Sequence, residues 1–72
     1  MIEIYGKTAC PHCDAAKKLC EMKNIEYTYK QLDKDFTREE VLELFPGART
    51  FPQIKVEGNS IGGYTELQKH LG

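Results

Sequence analysis

The sequence lacks any long apolar stretch and has almost no excess charge of either sign. No segment approaches the roughly 20 consecutive apolar residues of a transmembrane helix, so we expect no membrane span. The first residues, Met1–Ile4, carry neither a basic start nor a long apolar run, so we expect no signal peptide. A formal net charge of −1 argues against a protein that binds nucleic acid mainly by electrostatics.

Cysteine is scarce as well. The three cysteines are an odd number and too few for a disulfide scaffold. We therefore expect a reducing compartment, the cytoplasm, in which Cys10 and Cys13 form a working pair and not a structural crosslink. With 72 residues, 40% of them hydrophobic, the chain is expected to form one small ordered domain over residues 1–72.

Hydrophobic periodicity, capping residues and glycine or proline breaks predict short alternating strands and helices. The order β-α-β-α-β-β-α predicts an α/β fold with a four-stranded mixed sheet flanked by three helices. The helix between the first two strands makes that pair parallel. The predicted strands are Ile2–Tyr5, Ile25–Leu32, Gln53–Val56 and Asn59–Ile61, a polar loop covers Asp33–Phe36, and the helices begin near Pro11, after Thr37 and at Tyr64.

Each predicted helix has an apolar face. In the second helix, Thr37-Arg38-Glu39-Glu40 has the form of a capping box. Cys20 shares one face of the first helix with Cys13, which favours a buried core thiol over a reactive one. The apolar face of the second helix is predicted to comprise Val41, Leu42, Leu44 and Phe45, and that of the last helix Leu67 and Leu71.

The segment Cys10-Pro11-His12-Cys13 lies where the first strand turns into the first helix. One helical turn separates the cysteine Cα atoms by about 5 Å, within the roughly 4.4–6.8 Å that a disulfide needs. Pro11 suits the first helical position, which places Cys10 at the N-cap, where its sulfur can accept from N–H groups near Cys13. This arrangement favours reversible thiol–disulfide chemistry.

Electrostatics predict different roles for the two cysteines. The helix dipole and the positive charge of Lys7 and His12 stabilise Cys10 as a thiolate, which lowers the pKa of that thiol. Cys13 lies one turn inside the helix and is expected to be more buried. We therefore predict that Cys10 attacks the substrate and Cys13 resolves the intermediate.

A zinc site is the main alternative for the cysteine pair. Zinc normally takes four protein ligands, or three and a water molecule. Cys20 lies about 10 Å beyond Cys13 on a continuous helix, and His70 belongs to another element. We therefore expect no metal. The candidate ligands are Cys10, His12, Cys13, Cys20 and His70.

Three landmarks in this order resemble the glutaredoxin family over nearly the whole chain. They are Lys7 before Cys10–Cys13, then Thr50–Ile54, then Ile61–Leu67. The resemblance implies a thioredoxin-like fold and glutathione as co-substrate, with no bound cofactor. It also implies that Cys10 is the nucleophile and Cys13 the resolving thiol.

The resemblance further implies a glutathione site. Pro52 would be a cis-proline that leaves the backbone of Phe51 free to pair with a substrate. The residues alone favour an ordinary proline at a strand start. Lys7 would contact the glycyl carboxylate, and the N–H groups that follow Gly63 would hold the γ-glutamyl carboxylate. The implied glutathione contacts are Lys7, Thr50, Phe51, Pro52, Gly63, Tyr64 and Thr65.

The chain departs from the family pattern in two places. His12 replaces the usual tyrosine, and with Pro11 it is predicted to tune the redox pair. Thr65 stands where aspartate is frequent, which leaves the partner of the glutathione ammonium open, with Glu66 as one candidate. Either Arg38 or Arg49 is a candidate contact for a carboxylate of glutathione.

These features together predict a monomeric dithiol glutaredoxin that acts on disulfide-containing or glutathionylated proteins. An alternative is a redoxin that donates electrons to ribonucleotide reductase and is recharged by thioredoxin reductase. A less favoured alternative is a [2Fe–2S] carrier that holds its cluster through Cys10 and glutathione. In the family Pro11 is associated with redox work, which disfavours the carrier.

Overall fold

The structure is a computed structural model that describes residues 1–47 and 50–71, within which four strands form one sheet flanked by three helices. The order in space is β2-β1-β3-β4, with β1 parallel to β2, and β3 antiparallel to both β1 and β4. The predicted order and mixed sheet are confirmed. The strands are β1 (Ile2–Gly6), β2 (Tyr27–Gln31), β3 (Gln53–Val56) and β4 (Asn59–Gly62), and the helices are α1 (Pro11–Met22), α2 (Arg38–Leu44) and α3 (Tyr64–Leu71).

The two faces of the sheet carry separate apolar clusters because side chains alternate along β1. Ile2 and Ile4 point to the side of α1 and α3, where Ile54 and Leu67 complete a fully buried centre. Tyr5 points to the opposite side and packs against the second cluster, which is smaller. That second cluster consists of Tyr5, Phe36, Val41 and Phe45.

Local signals set the ends of α1 and α2. Pro11 is the first residue of α1, a position whose backbone N–H has no partner within the helix, so the N–H that proline lacks is not missed there. Beyond the other end of α1, Asn24 adopts a φ of 54°, a left-handed conformation that ends helices. Thr37 and Glu40 form the predicted capping box, each bonding the backbone N–H of the other.

Three expectations about burial and strand length were wrong. Ile25 donates its N–H to Cys20 O and closes α1, so β2 begins two residues later than predicted. Phe36 is buried instead of lying in a polar loop, since its ring meets the edge of Tyr5 at 5.2 Å. Leu42 and Leu44 are exposed because the short helix α2 presents only one stripe to the sheet.

The hairpin of β3 and β4 delivers the chain to the start of α3. Its turn is Glu57-Gly58, where both residues have positive φ, as expected for a two-residue hairpin turn. Gly62 ends β4 with a φ of 115°, and a side chain there would press against Glu66. The N-terminus of α3 therefore starts directly after the sheet. No helix in the described part of the chain is long and apolar enough to cross a membrane.

Candidate active site

Cys10 and Cys13 form a disulfide at the start of α1, with their Cα atoms 5.2 Å apart. Cys10 is the N-cap residue, and its Sγ accepts a hydrogen bond from Cys13 N at 3.2 Å. The predicted cap is therefore present. A thiolate at this position faces the N–H groups and the positive end of the helix dipole, both of which stabilise negative charge.

The two cysteines differ in exposure as predicted. The exposed fraction of Cys10 is 8% and that of Cys13 is 0%. A disulfide-bearing substrate must reach the attacking sulfur, and an internal thiol needs to reach only its neighbour. The difference favours Cys10 as the sulfur that meets the substrate.

Phe51 brings its backbone to Cys10. The Phe51–Pro52 peptide bond is cis, as the resemblance implied, and Pro52 is buried. The Phe51 carbonyl oxygen lies 3.9 Å from Cys10 Sγ. A peptide attached to Cys10 would therefore lie beside the backbone of Phe51.

On one side of Phe51 lies a cavity of about 210 Å³ at the N-terminus of α3, here called the helix-end cavity. Glu66 Oε1 accepts the Gly63 N–H at 2.7 Å. The N–H groups of Gly63 and of Glu66 itself hold the pKa of the Glu66 carboxyl below its usual range. The helix-end cavity is lined by His12, Thr50, Phe51, Pro52, Gly63, Tyr64, Thr65 and Glu66.

The remaining N–H groups of this helix end are available to a ligand. Tyr64 N and Thr65 N have no hydrogen-bond acceptor among residues 1–47 and 50–71. The first N–H groups of a helix have no partner within the helix and attract anions. His12 borders the same space, with its ring centroid 5.9 Å from that of Tyr64.

A second cavity, of about 170 Å³, is also lined by Phe51, contains two cationic side chains, and is here called the cationic cavity. Its cations are Lys7 and Arg38. Of the two arginines considered as contacts for a carboxylate of glutathione, Arg38 therefore lies in a cavity beside Lys7. Arg49 lies outside the described residues. The cationic cavity is lined by Lys7, Leu32, Arg38, Val41, Leu42, Thr50 and Phe51.

The two cavities adjoin because they share Thr50 and Phe51. Cys10 lines neither cavity, and its Sγ approaches their shared wall at the Phe51 carbonyl oxygen. Every implied glutathione contact thus lies in one cavity or the other. Sequence analysis did not anticipate that Leu32 and Leu42 would line the cationic cavity. No motif marks them, and Leu32 reaches the cavity because it packs against the second apolar cluster, which includes Val41 of α2.

The third cysteine lies away from this site. Cys20 is fully buried in the cluster beneath α1, as predicted. Burial, with a smaller contribution from the charge of Glu21, raises the pKa of the Cys20 thiol. Within the described ranges, no group of three or more His, Cys, Asp or Glu side chains is arranged to hold a metal ion.

Comparison with known proteins identifies the family. A family model described as Glutaredoxin matches residues 2–61. The chain belongs to the glutaredoxin family. It is 33% identical over 66 residues to glutaredoxin 3 of Escherichia coli K12, covering 92% of this chain and 80% of that relative. It is also 36% identical over 73 residues to human mitochondrial glutaredoxin-2, covering 94% of this chain but 43% of that relative.

Solved glutaredoxin structures agree with the fold. Glutaredoxin 1 from Francisella tularensis superposes with a TM-score of 0.80 at 30% identity, covering 97% of this chain and 90% of that one. A buckwheat glutaredoxin–glutathione complex superposes with a TM-score of 0.80 at 28% identity, covering 97% of this chain and 67% of that one. The thioredoxin-like fold is confirmed. With the Cys10–Cys13 pair, family membership makes the chain a thiol–disulfide oxidoreductase.

Proposed function

We propose that this glutaredoxin uses glutathione to reduce protein disulfides and glutathione mixed disulfides. The observation that carries the proposal is the position of Cys10 beside Phe51, where the helix-end and cationic cavities adjoin. Glutathione has a thiol near its middle and a carboxylate at each end. The site offers a sulfur in the middle and an anion-binding group on each side.

Each end of glutathione has a candidate partner. Lys7 and Arg38 suit the glycyl carboxylate, because charge-assisted hydrogen bonds are the stronger ones. The N–H groups of Tyr64 and Thr65 suit the γ-glutamyl carboxylate. The backbone of Phe51 suits the central cysteine in a short strand-like pairing. The buckwheat glutaredoxin–glutathione complex, which shares the fold, supports glutathione as the ligand.

The site offers the ammonium of glutathione fewer partners than it offers the two carboxylates. Thr65 carries no charge, and Glu66 is the single carboxylate that lines the helix-end cavity among the described residues. One oxygen of Glu66 already accepts the Gly63 N–H. We propose that Glu66 contacts the ammonium through its other oxygen.

The reaction begins at Cys10. Its thiolate attacks one sulfur of a substrate disulfide, forms a mixed disulfide, and releases the other sulfur as a thiolate. With a protein disulfide, Cys13 then attacks Cys10 Sγ and releases the reduced protein. Two glutathione molecules reduce the Cys10–Cys13 disulfide and leave as glutathione disulfide.

A glutathionylated protein follows a shorter route. Cys10 takes the glutathione and releases the protein thiol. A second glutathione attacks that mixed disulfide and regenerates Cys10. This route does not use Cys13. We further propose that the chain acts in a reducing compartment such as the cytoplasm, since both routes return the pair to its thiol form.

The proposal is tested with glutathione, NADPH and glutathione reductase. Cys10→Ser is expected to abolish both routes, and Cys13→Ser to abolish protein-disulfide reduction but keep deglutathionylation. Substantial activity of Cys10→Ser would contradict the role assignment. Turnover with thioredoxin reductase but not with glutathione would instead favour an electron donor to ribonucleotide reductase, and a brown purified protein would favour the [2Fe–2S] carrier.

A further inference from the structure

Cys13 must ionise in a place that disfavours charge. Its exposed fraction is 0%, and the resolving step of the proposed dithiol route needs it as a thiolate. Removal from water disfavours a thiolate unless a hydrogen bond or a charge compensates. Cys10 has the helix N-terminus for this purpose, so the question is which group serves Cys13.

The Tyr29 hydroxyl lies next to Cys13 across Gly6. A methyl group on Gly6 would lie 2.6 Å from Tyr29 Oη and 2.9 Å from Cys13 Sγ. Tyr29 Oη and Cys13 Sγ therefore approach the same position beside Gly6, the last residue of β1. The distance between them cannot exceed the sum of those two distances. A side chain at Gly6 would force Tyr29 and Cys13 apart, so glycine is what permits their approach.

The Tyr29 hydroxyl is also available as a donor. It donates to Lys7 O at 3.5 Å, longer than an ordinary O–H···O hydrogen bond. Lys17 Nζ lies 4.2 Å from the centroid of the Tyr29 ring and 3.5 Å from Asp14 Oδ1. A cation over the ring face draws electron density from the phenol and makes its O–H a better donor.

We infer that Tyr29 is a positioning residue for Cys13. When the cysteine pair is reduced, the Tyr29 hydroxyl turns from Lys7 O to Cys13 Sγ and stabilises the Cys13 thiolate. The inference rests on the proposed dithiol route. Cys13 loses its proton to solvent and attacks Cys10 Sγ. The Cys10–Cys13 bond forms, the bond to the substrate sulfur breaks, and the departing thiolate takes up a proton. Tyr29 neither gains nor loses a proton overall.

Tyr29→Phe tests the inference by removing only the hydroxyl. Tyr27→Phe is the matched control, because Tyr27 lies two residues away on the same face of β2 and bonds Glu21 at 2.6 Å instead. Tyr29→Phe should slow the dithiol route about tenfold, the usual worth of a hydrogen bond to a charged group, while deglutathionylation stays unchanged. The mixed disulfide between Cys10 and the substrate protein should accumulate in Tyr29→Phe, as measured by mass spectrometry. Tyr27→Phe should change neither route.

A second measurement does not depend on glutathione activity. In a Cys10→Ser/Cys20→Ser background, Cys13 is the remaining thiol, and its thiolate can be followed by ultraviolet absorbance. Adding Tyr29→Phe should lower the thiolate fraction at a given pH about tenfold. Equal titrations with and without the hydroxyl would overturn the inference, as would equal loss of both catalytic routes. Lack of glutathione turnover together with the expected titration shift would reject the proposed function and keep the inference.

Discussion

The carbonyl oxygen of Phe51 lies 3.9 Å from Cys10 Sγ. This proximity places the backbone before the cis-proline beside the more exposed sulfur of the pair. A cysteine residue attached to Cys10 would lie along Phe51, with one neighbour directed to Lys7 and Arg38 and the other to the start of α3. The proposed recognition of glutathione at both ends rests on this contact.

Removing a cation from the cationic cavity should weaken glutathione use. Lys7→Gln and Arg38→Gln are each expected to raise KM for glutathione about threefold at low salt, because an exposed ion pair is worth about 0.2–1 kcal/mol. The effect should fade as salt is added. Steady-state kinetics at several salt concentrations measure it.

Lys23→Gln is the charge-matched control for these variants. Lys23 is exposed at the far end of α1 from Cys10. Its substitution should leave KM unchanged. Equal KM values for all four proteins would remove Lys7 and Arg38 from the glutathione site.

A carboxylate at position 65 should improve recognition of the ammonium. Thr65→Asp is expected to lower KM for glutathione about threefold, the worth of an exposed ion pair. KM for a glutathione analogue that lacks the amino group of the γ-glutamyl residue should not fall. Kinetics with both thiols measure the difference, and a parallel change for both would show that the introduced carboxylate does not meet the ammonium.

His12→Tyr should make the Cys10–Cys13 potential more negative. A positive charge two residues from Cys10 would stabilise the thiolate and hence the reduced pair, and tyrosine cannot supply it. Each tenfold change in the redox equilibrium corresponds to about 30 mV. Equilibration against glutathione measures the potential, with His70→Tyr at the end of α3 as control. Equal potentials would leave His12, which is exposed, as a spacer.

Cys20 should matter for stability and not for activity. Cys20→Ser should keep full turnover and cost about 2 kcal/mol of the free energy of unfolding, since it buries a hydroxyl. Burial raises the pKa of Cys20 above its ordinary value of 9.0, so the folded state holds this proton more tightly. The contribution of the Cys20 thiol to the free energy of unfolding is therefore fully present below that pH. It is lost as the pH rises through the pKa that Cys20 has in the folded state.

Chemical denaturation of the parent and of Cys20→Ala at several pH values checks the sign. The free-energy difference between them should shrink as pH rises above 9.0. A difference that grows with pH would contradict the assigned burial effect.

Elements marked by local chemistry were predictable from the sequence. Pro11 after the first cysteine, the Thr37 capping box and the glycines before Tyr64 all act within a few residues, and each helix begins where they indicate. Phe36 could not be placed, because its burial depends on Tyr5 from a distant strand.

The candidate site divides in the same way. The order of exposure of Cys10 and Cys13 follows from the helix start alone. The choice of Arg38 as a neighbour of Lys7 depends on how α2 lies against the sheet. The approach of Tyr29 to Cys13 depends on the register of β1 and β2. Packing and register are tertiary properties that short sequence patterns do not encode.

Glutathione attached to Cys10 tests the central claim most directly. A Cys13→Ser/Cys20→Ser protein treated with glutathione disulfide should form one adduct, at Cys10. The NMR spectrum of this adduct is compared with that of the β-mercaptoethanol adduct, which has no carboxylate. The account predicts that glutathione alone shifts the N–H signals of Tyr64 and Thr65 together with the side-chain signals of Lys7 and Arg38. Shifts confined to the neighbours of Cys10, equal in both adducts, would contradict two-ended recognition of glutathione.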